Sequence, residues 1–453
     1  MMNRLTIFFL TLLLSAPMAA QTEADTLATD TAEVRLPYPL CIQMRLDSLT
    51  THAELLQTSQ LGLMVYDLTA DSAIYRLNER QLMRPASTMK LVTAITALDL
   101  LGGNYRLRTE LRQRGTIDAD GTLHGDLICV GGMDPCFTTS DLNAFVQAIR
   151  TAGIDSISGR IIADTSMKED VPYGEGWCWD DKNPILSPLT IGRDTAFVSR
   201  LRAALEPTPD PSRREGSLVS AKGPTPDPSQ REGSLAAVKE PTPNPSRREG
   251  SLATIKAETN QAPLPSGGVG GGFNLATCTH TIDQLLRRML KESDNFYAEA
   301  LFYQTAASQG SRPAKASHAR AATKRLISRI GLGGQPYRIA DGSGLSLYNY
   351  VSAELETMLL RYAWQKPAIY SHLYPALPIA GVDGTLKKRM TGTAAGGNVH
   401  AKTGTLTGVI SLAGYCTAAN GHRLCFAIIN QGVMTGSTAR TFQDRLCRIL
   451  CEP

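Results

Sequence analysis

The chain has 453 residues, of which 42% are hydrophobic, so it is long enough to bury a large core and to form two or three domains. Its net charge of +4 is small and is spread along the sequence without aromatic interleaving. The composition therefore argues against nucleic acid as a partner.

The first twenty residues predict a cleaved secretory signal. A short apolar run (5–14) follows one positive side chain, and small residues (15–20) precede the polar Gln21. The run is too short to span a bilayer comfortably, and no later run of eighteen apolar residues exists. We expect export to the periplasm or cell envelope without a membrane-spanning segment, with an uncleaved anchor as the alternative.

Apolar residues at helical spacing and alternating β-branched runs predict the elements of the chain. Before the repeat region the predicted helices are 40–56, 87–101 and 140–152, and the predicted strands are 61–68, 73–77, 107–112, 122–130 and 157–163. After it the predicted helices are 281–291, 296–305, 317–330, 351–364 and 439–451, and the predicted strands are 399–408, 409–417 and 424–430.

A Pro-rich repeat interrupts this pattern. The segment that begins at Pro207 recurs from Pro224 and again from Pro241, with almost no large apolar residues. Such copies bury too little surface to offset the chain entropy lost on folding, and no apolar face for a solenoid is present. We therefore predict a linker at 206–272. The remaining division is a signal peptide (1–20), a first domain part (21–105), an inserted domain (106–205) and a second part (273–453).

The nine cysteines form no Cys-x-x-Cys pair, and the histidines are not spaced as metal ligands. The sequence therefore predicts no metal site and no cofactor. The turn signal Asn420-Gly421 would place Cys416 opposite Cys425 if it forms a two-residue hairpin. We predict a disulfide between these two residues, and the alternative is a pair of buried thiols.

Three short motifs follow one another along the chain: Ser87-Thr88-Met89-Lys90, Ser293-Asp294-Asn295 and Lys402-Thr403-Gly404. Each motif is weak alone, because Ser-x-x-Lys occurs by chance roughly once in a chain of this length. Their order, with the first at a helix start, the second between helices and the third on a strand, is typical of penicillin-binding proteins and serine β-lactamases.

The residue types of the motifs suit acyl transfer. Ser87 can attack a carbonyl if Lys90, one helical turn away, takes its proton. Burial and neighbouring cations would lower the pKa of that lysine far enough for it to act as a base. We predict Ser87, Lys90 and Ser293 as catalytic residues, with the Ser293 hydroxyl relaying the proton to the departing amine.

The other motif residues are predicted to bind substrate. The Asn295 amide would hold the substrate backbone or fix the catalytic lysine, and Lys402 would offer a cation to a substrate carboxylate. Thr403 and Thr405 add hydroxyl donors, and Gly404 lets the substrate approach the strand. The backbone N–H groups of Ser87 and Thr405 are expected to form the oxyanion hole.

Longer runs add a family resemblance. Residues 293–301 (SDNFYAEAL), 341–346 (DGSGLS) and 381–386 (GVDGTL) resemble the D-alanyl-D-alanine carboxypeptidase/endopeptidase family, the class C low-molecular-mass penicillin-binding proteins or peptidase family S13. The resemblance implies an α/β (α+β) fold of the β-lactamase/transpeptidase-like type. Such a fold has an antiparallel sheet flanked by helices, with a domain inserted between the first and second motifs.

The resemblance also implies an activity and partners. A member would cleave the terminal D-Ala-D-Ala bond of peptidoglycan stem peptides, or peptide cross-links, and would be acylated by β-lactams. Asp180 and Asp181, in a Trp-containing loop, would meet the ammonium group of the substrate's diamino acid. Their alternative is a pair of solvated loop carboxylates.

Two rival functions are open to such a sequence. A serine β-lactamase needs a fast deacylating base, but no Glu-x-x-Leu-Asn is present, and the large insertion argues against this class. A non-catalytic β-lactam sensor or wall-binding module would not need the complete set of motif residues that the chain carries.

Overall fold

A computed structural model describes residues 37–178, 180–181, 183–206, 254–256, 272–310 and 312–452 of the chain. The predicted signal segment and nearly all of the repeat region lie outside these residues. No helix within the described part is long and apolar enough to cross a membrane.

The described strands are β1 (Gln60–Asp67), β2 (Ser72–Leu77), β3 (Arg106–Ile117), β4 (Thr122–Val130), β5 (Ser156–Ile157), β6 (Ile161–Asp164), β7 (Thr254–Lys256), β8 (Phe273–Thr281), β9 (His400–Leu406), β10 (Val409–Thr417) and β11 (Arg423–Gln431). The helices are α1 (Leu40–His52), α2 (Met89–Leu101), α3 (Thr139–Thr151), α4 (Phe197–Leu205), α5 (Ile282–Lys291), α6 (Asn295–Ala307), α7 (Ala316–Arg329), α8 (Ala353–Trp364), α9 (Pro367–Ala376) and α10 (Gly436–Cys451).

The first sheet is antiparallel and has the order β2-β1-β11-β10-β9. Its inner strands are buried along nearly their whole length, because helices cover both faces. Alternate residues divide between the two faces: Met64 and Tyr415 pack against α2, α6 and α8, whereas Leu63 and Phe426 pack against α1 and α10. This arrangement confirms the predicted antiparallel sheet flanked by helices.

Helix α2 is the centre of one helical layer. Every residue from Met89 to Leu98 is buried, which suits a helix with neighbours on all sides rather than one apolar stripe. The helix contacts α6, α8 and α9 and so fixes the start of the helix, where Ser87 lies, against several other elements.

The second sheet has the order β5-β4-β3-β8-β7, with β6 pairing with β4. Helices α3 and α4 cover its apolar face, where Phe137, Phe145 and Phe197 form a cluster of aromatic rings. Strand β8 pairs with β3, although our division of the chain assigned 273–281 to the second part of the transpeptidase-like domain. The chain thus completes this sheet with β8 and enters α5 at Ile282, and the division into domains stays a prediction.

The predicted disulfide was wrong because the hairpin has a different register. Gly421 N–H donates to Ala418 O (2.9 Å), so the loop has three residues instead of two. Cys416 therefore lies opposite Leu424 and Tyr415 opposite Cys425. A shift of one residue moves a side chain to the other face. Both cysteines are free thiols on opposite faces of the sheet.

Candidate active site

Ser87 lies in a short 3-10 turn (Ala86–Thr88) that leads directly into α2. Ala86 adopts a left-handed backbone (φ 52°), which is unfavourable for a residue with a Cβ and is often retained at functional sites. The turn is tied down by two hydroxyls: those of Thr88 and Ser411 both donate to Pro85 O (2.7 and 2.5 Å). The turn that carries the candidate nucleophile Ser87 is thus fixed to β10, the strand that carries Ser411.

Lys90 lies one helical turn after Ser87 and is completely buried. Its Nζ donates to Ser87 Oγ (3.0 Å), Asn295 Oδ1 (2.7 Å) and Ser343 O (2.7 Å). Burial lowers the pKa of Lys90 to about 8, and the carboxylates of Asp341 and Glu299 partly oppose this shift. The amine therefore loses its proton as the pH rises through about 8, and a minor fraction is already neutral at pH 7.

The second motif forms the junction between α5 and α6. Ser293 is another non-glycine residue in the left-handed region (φ 60°), and Asp294 caps α6 by accepting from Phe296 N (3.0 Å). Arg193 and Arg288 both bind the buried Asp294 carboxylate (2.8 and 3.2 Å). This network fixes the first residue of α6, which is the Asn295 that contacts Lys90.

The third motif lies on β9, the edge strand of the first sheet. Lys402 is completely buried, and its Nζ donates to Ser293 Oγ (2.8 Å) and Thr403 O (2.7 Å). Burial and the nearby charge of Lys90 lower the pKa of Lys402 well below its usual range. Among the described residues, no carboxylate forms an ion pair with this lysine.

Gly404 is required by a close approach between β9 and the Ser87 turn. A Cβ at this position would lie 2.0 Å from Ser411 Oγ, 2.8 Å from Pro85 O and 3.0 Å from Ser87 N. The amide of Ser87 is therefore adjacent to the strand that carries Thr405. Thr403 Oγ1 donates to Thr385 Oγ1 (2.7 Å), which links the strand to the predicted GVDGTL run.

The Trp-containing loop, which carries the predicted Asp180 and Asp181, lies beside the motif side chains. Asp180 is exposed, and Asp181 Oδ2 accepts from Cys178 N (2.7 Å) within its own loop. Asn183 is the residue that meets the motif side chains, because its Oδ1 accepts from Asn295 Nδ2 (3.3 Å). Nothing in the local sequence distinguishes Asn183, so sequence reasoning missed it.

Sequence reasoning also missed Glu299, which fixes the loop whose Ser343 carbonyl accepts a hydrogen bond from Lys90. Glu299 Oε1 accepts from Gly342 N (3.0 Å) and Ser343 N (2.8 Å), and the Ser343 carbonyl is the one that accepts from Lys90. The Asp341 carboxylate accepts from the indole of Trp177 (2.8 Å), so the same loop holds the Trp-containing segment. The DGSGLS run (341–346) resembles the family, but its pattern indicates no role for its backbone groups.

Comparisons with known proteins agree with this geometry. The model of the D-Ala-D-Ala carboxypeptidase 3 (S13) family matches residues 42–203 and 274–452. D-alanyl-D-alanine carboxypeptidase DacB of Haemophilus influenzae is 28% identical over 419 residues, which cover 83% of this chain and 86% of that protein. A D-alanyl-D-alanine carboxypeptidase of an Actinomadura species is 28% identical over 445 residues, covering 86% of this chain and 81% of its own length.

A solved structure shares the fold. The crystal structure of penicillin binding protein 4 from Haemophilus influenzae superposes with a TM-score of 0.68 at 24% identity, over 89% of this chain and 97% of its own. The resemblance found in the sequence is thereby confirmed. The chain belongs to the D-Ala-D-Ala carboxypeptidase 3 (S13) family.

Proposed function

We propose that this member of the S13 family is a serine-type D-Ala-D-Ala carboxypeptidase and endopeptidase that acts on peptidoglycan stem peptides through an acyl-enzyme on Ser87. The observation that carries the proposal is the buried Lys90 amine, 3.0 Å from Ser87 Oγ and with its pKa lowered to about 8. A base with a pKa near the working pH is suited to taking and returning a proton. The D-alanyl-D-alanine carboxypeptidases that match most of the chain support the substrate class.

Acylation begins when neutral Lys90 takes the Ser87 hydroxyl proton and Ser87 Oγ attacks the carbonyl of the penultimate D-Ala. The N–H groups of Ser87 and Thr405 hold the oxyanion of the tetrahedral intermediate, and one such donor is typically worth about 3 kcal/mol. The Ser293 hydroxyl gives its proton to the departing D-Ala amine as the C–N bond breaks and receives in its place the proton that Lys90 took from Ser87. Water then hydrolyses the ester and restores the Ser87 hydroxyl.

Lys402 binds the carboxylate of the terminal D-Ala in this scheme. Among the described residues, no carboxylate pairs with the buried Lys402 amine. A substrate carboxylate that binds there would therefore raise the lowered pKa of Lys402. Thr403 and Thr405 add hydroxyls to the same strand edge. Asp180 and Asp181 stay predicted ligands for the ammonium group of the diamino acid.

The same nucleophile would be acylated by β-lactams, whose strained amide also presents a carbonyl and a nearby carboxylate. The name of the Haemophilus structure, a penicillin binding protein, supports this partner. A peptidoglycan substrate requires export, and we infer from the apolar segment at 5–14 that residues 1–20 direct the chain to the periplasm or cell envelope.

Labelling with a fluorescent penicillin tests the proposal. Wild-type protein should form one covalent adduct, Ser87→Ala should form none, and mass spectrometry should locate the adduct on Ser87. Digestion of purified muropeptides should release D-Ala, and cleavage of cross-linked dimers should reveal the endopeptidase activity. Labelling that survives Ser87→Ala would refute the assignment, and rapid multiple turnover of nitrocefin would favour a β-lactamase.

A further inference from the structure

Three side chains with metal-binding atoms meet beneath the second sheet. Cys278 and His280 lie two residues apart on β8, so they project from the same face of the strand. Asp141, in the first turn of α3, faces them across the core. All three residues are at least nine-tenths buried.

The donor atoms of Asp141, Cys278 and His280 lie within 4.8 Å of one another, and His280 Nε2 is 3.8 Å from Asp141 Oδ2. A fourth residue, Asp134, orients the imidazole, because its Oδ2 lies 2.6 Å from His280 Nδ1. With the imidazole proton on Nδ1, the lone pair of Nε2 is free to bind a metal ion.

Although the spacing of cysteines and histidines along the sequence predicted no metal site, we propose that Cys278 Sγ, His280 Nε2 and a carboxylate oxygen of Asp141 bind a zinc ion. A water molecule would take the fourth position, and Asp134 would be the outer carboxylate that fixes the histidine. Thiolate, imidazole and carboxylate are the ligand types that Zn²⁺ takes in proteins. A carboxylate on the second nitrogen of a ligating histidine is the usual support for such a ligand. Binding converts the Cys278 thiol into a thiolate, and its proton is released to solvent.

The charges of the cluster favour a cation. Asp134 and Asp141 place two buried carboxylates around one imidazole, and either the protonated imidazole or a bound cation would pair with them. Asp141 also accepts from Thr138 N and Thr138 Oγ1 (both 2.7 Å), which holds its carboxylate in place at the start of α3. Zinc would join this helix to β8 by bonds stronger than their apolar contact.

The site would act on structure rather than on the reacting bond. It lies next to the 131–138 loop, where the Met133 carbonyl accepts from Gln304 Nε2 of α6 (3.4 Å). Helix α6 begins at Asn295, which contacts Lys90. A bound ion would thus stiffen the contact between the inserted sheet and the helix that positions a catalytic-site residue.

The test measures metal binding on the purified full chain. The protein is stripped with a chelator, exposed to excess Zn²⁺ or Co²⁺ and desalted. We expect about one retained equivalent per chain and, for Co²⁺, the near-ultraviolet sulfur-to-cobalt band and visible bands of a tetrahedral thiolate site. Zinc should also raise the melting temperature of the stripped protein, since a ligand that binds only the folded state stabilises it.

Cys278→Ser and His280→Gln should lose the retained metal, and Cys278→Ser should lose the sulfur band. Cys129→Ser is the matched control, because Cys129 is also a buried thiol in the core of the second sheet but is not part of the cluster. Penicillin labelling checks that each variant is folded. Wild-type protein that retains no metal and shows no cobalt band would overturn the proposal, as would equal losses in Cys129→Ser and Cys278→Ser.

Discussion

Two lysine pockets of the active site differ in the charges that surround them. Lys90 is buried, but the carboxylates of Asp341 and Glu299 keep its pKa from falling further. Lys402 is equally buried, and the described residues offer it a hydroxyl and a carbonyl but no carboxylate. The charged form of Lys90 thus has carboxylate partners without substrate, which suits a residue that takes and returns a proton. The charged form of Lys402 gains a carboxylate partner only when an anionic substrate binds.

The largest effect is expected in the first pocket. Lys90→Met should lower the second-order rate constant for penicillin labelling about a hundred- to ten-thousand-fold, because general bases contribute a factor of this size. Rapid-quench labelling over a range of penicillin concentrations measures the constant. Lys291→Met is the control: Lys291 pairs with Asp383 (2.6 Å) outside both pockets and should label nearly normally. Equal rates for Lys90→Met and wild type would exclude Lys90 as the base.

A smaller and more selective effect is expected in the second pocket. Lys402→Met should lower kcat/KM about ten- to a hundred-fold for a peptide that ends in a free D-Ala carboxylate, since a charged hydrogen bond is lost. The same peptide with an amidated terminus should be affected little. Steady-state assays of both peptides measure the ratio, and an equal loss on both would show that Lys402 does not recognise the carboxylate.

Ser293 lies in the second pocket, where its Oγ accepts a hydrogen bond from Lys402 Nζ at 2.8 Å. Ser293→Ala should lower kcat for D-Ala release about tenfold, because one proton donor is removed while Lys402 keeps its bond to Thr403 O. Alanine tolerates the left-handed backbone there no worse than serine does, so the melting temperature should stay close to that of wild type. If D-Ala release is unchanged while labelling slows, the hydroxyl acts elsewhere than on the leaving amine.

The sequence predicted the elements whose patterns are local. The Ser87 helix, the hairpin strands and the ordered motifs follow from apolar spacing and short-range chemistry. Helices α4 and α9 were missed. In α9, Pro375 breaks the usual helical pattern within the segment.

Contacts between residues that are distant in the sequence, and the exact register of the hairpin, could not be predicted. One extra residue in the Ala418–His422 turn moved Cys416 away from Cys425, and turn signals do not fix loop length to one residue. Asn183 and the Ser343 carbonyl enter the site from loops that only the fold brings near Lys90. The two lysine pockets therefore could be named from motifs, but the difference in their surroundings could not.

The smallest expected effect concerns the pH dependence of penicillin labelling, which tests whether a neighbouring carboxylate sets the pKa of Lys90. Burial lowers the pKa of Lys90 to about 8, so labelling should accelerate as pH rises through about 8 and the amine loses its proton. Burial and the charge of Asp341 raise the pKa of Glu299 to about 8 as well, so Glu299 opposes the lowering of the Lys90 pKa only as it ionises in the same pH range. Glu299→Gln keeps an acceptor for the Gly342 and Ser343 amides but removes the charge.

In Glu299→Gln, the rising limb of the labelling rate should therefore move to lower pH. The rate should increase by less than about tenfold around pH 8, where Glu299 of the wild type ionises, and should change little at pH 7. A pH series of labelling rates from 6 to 10 measures the limb. Glu356→Gln is the matched control, because Glu356 is an equally buried acid that is not among the charges acting on Lys90. A limb that stays in place, or moves equally in both variants, would mean that Glu299 holds the Ser343 loop by hydrogen bonds alone and leaves the charge balance of Lys90 to Asp341.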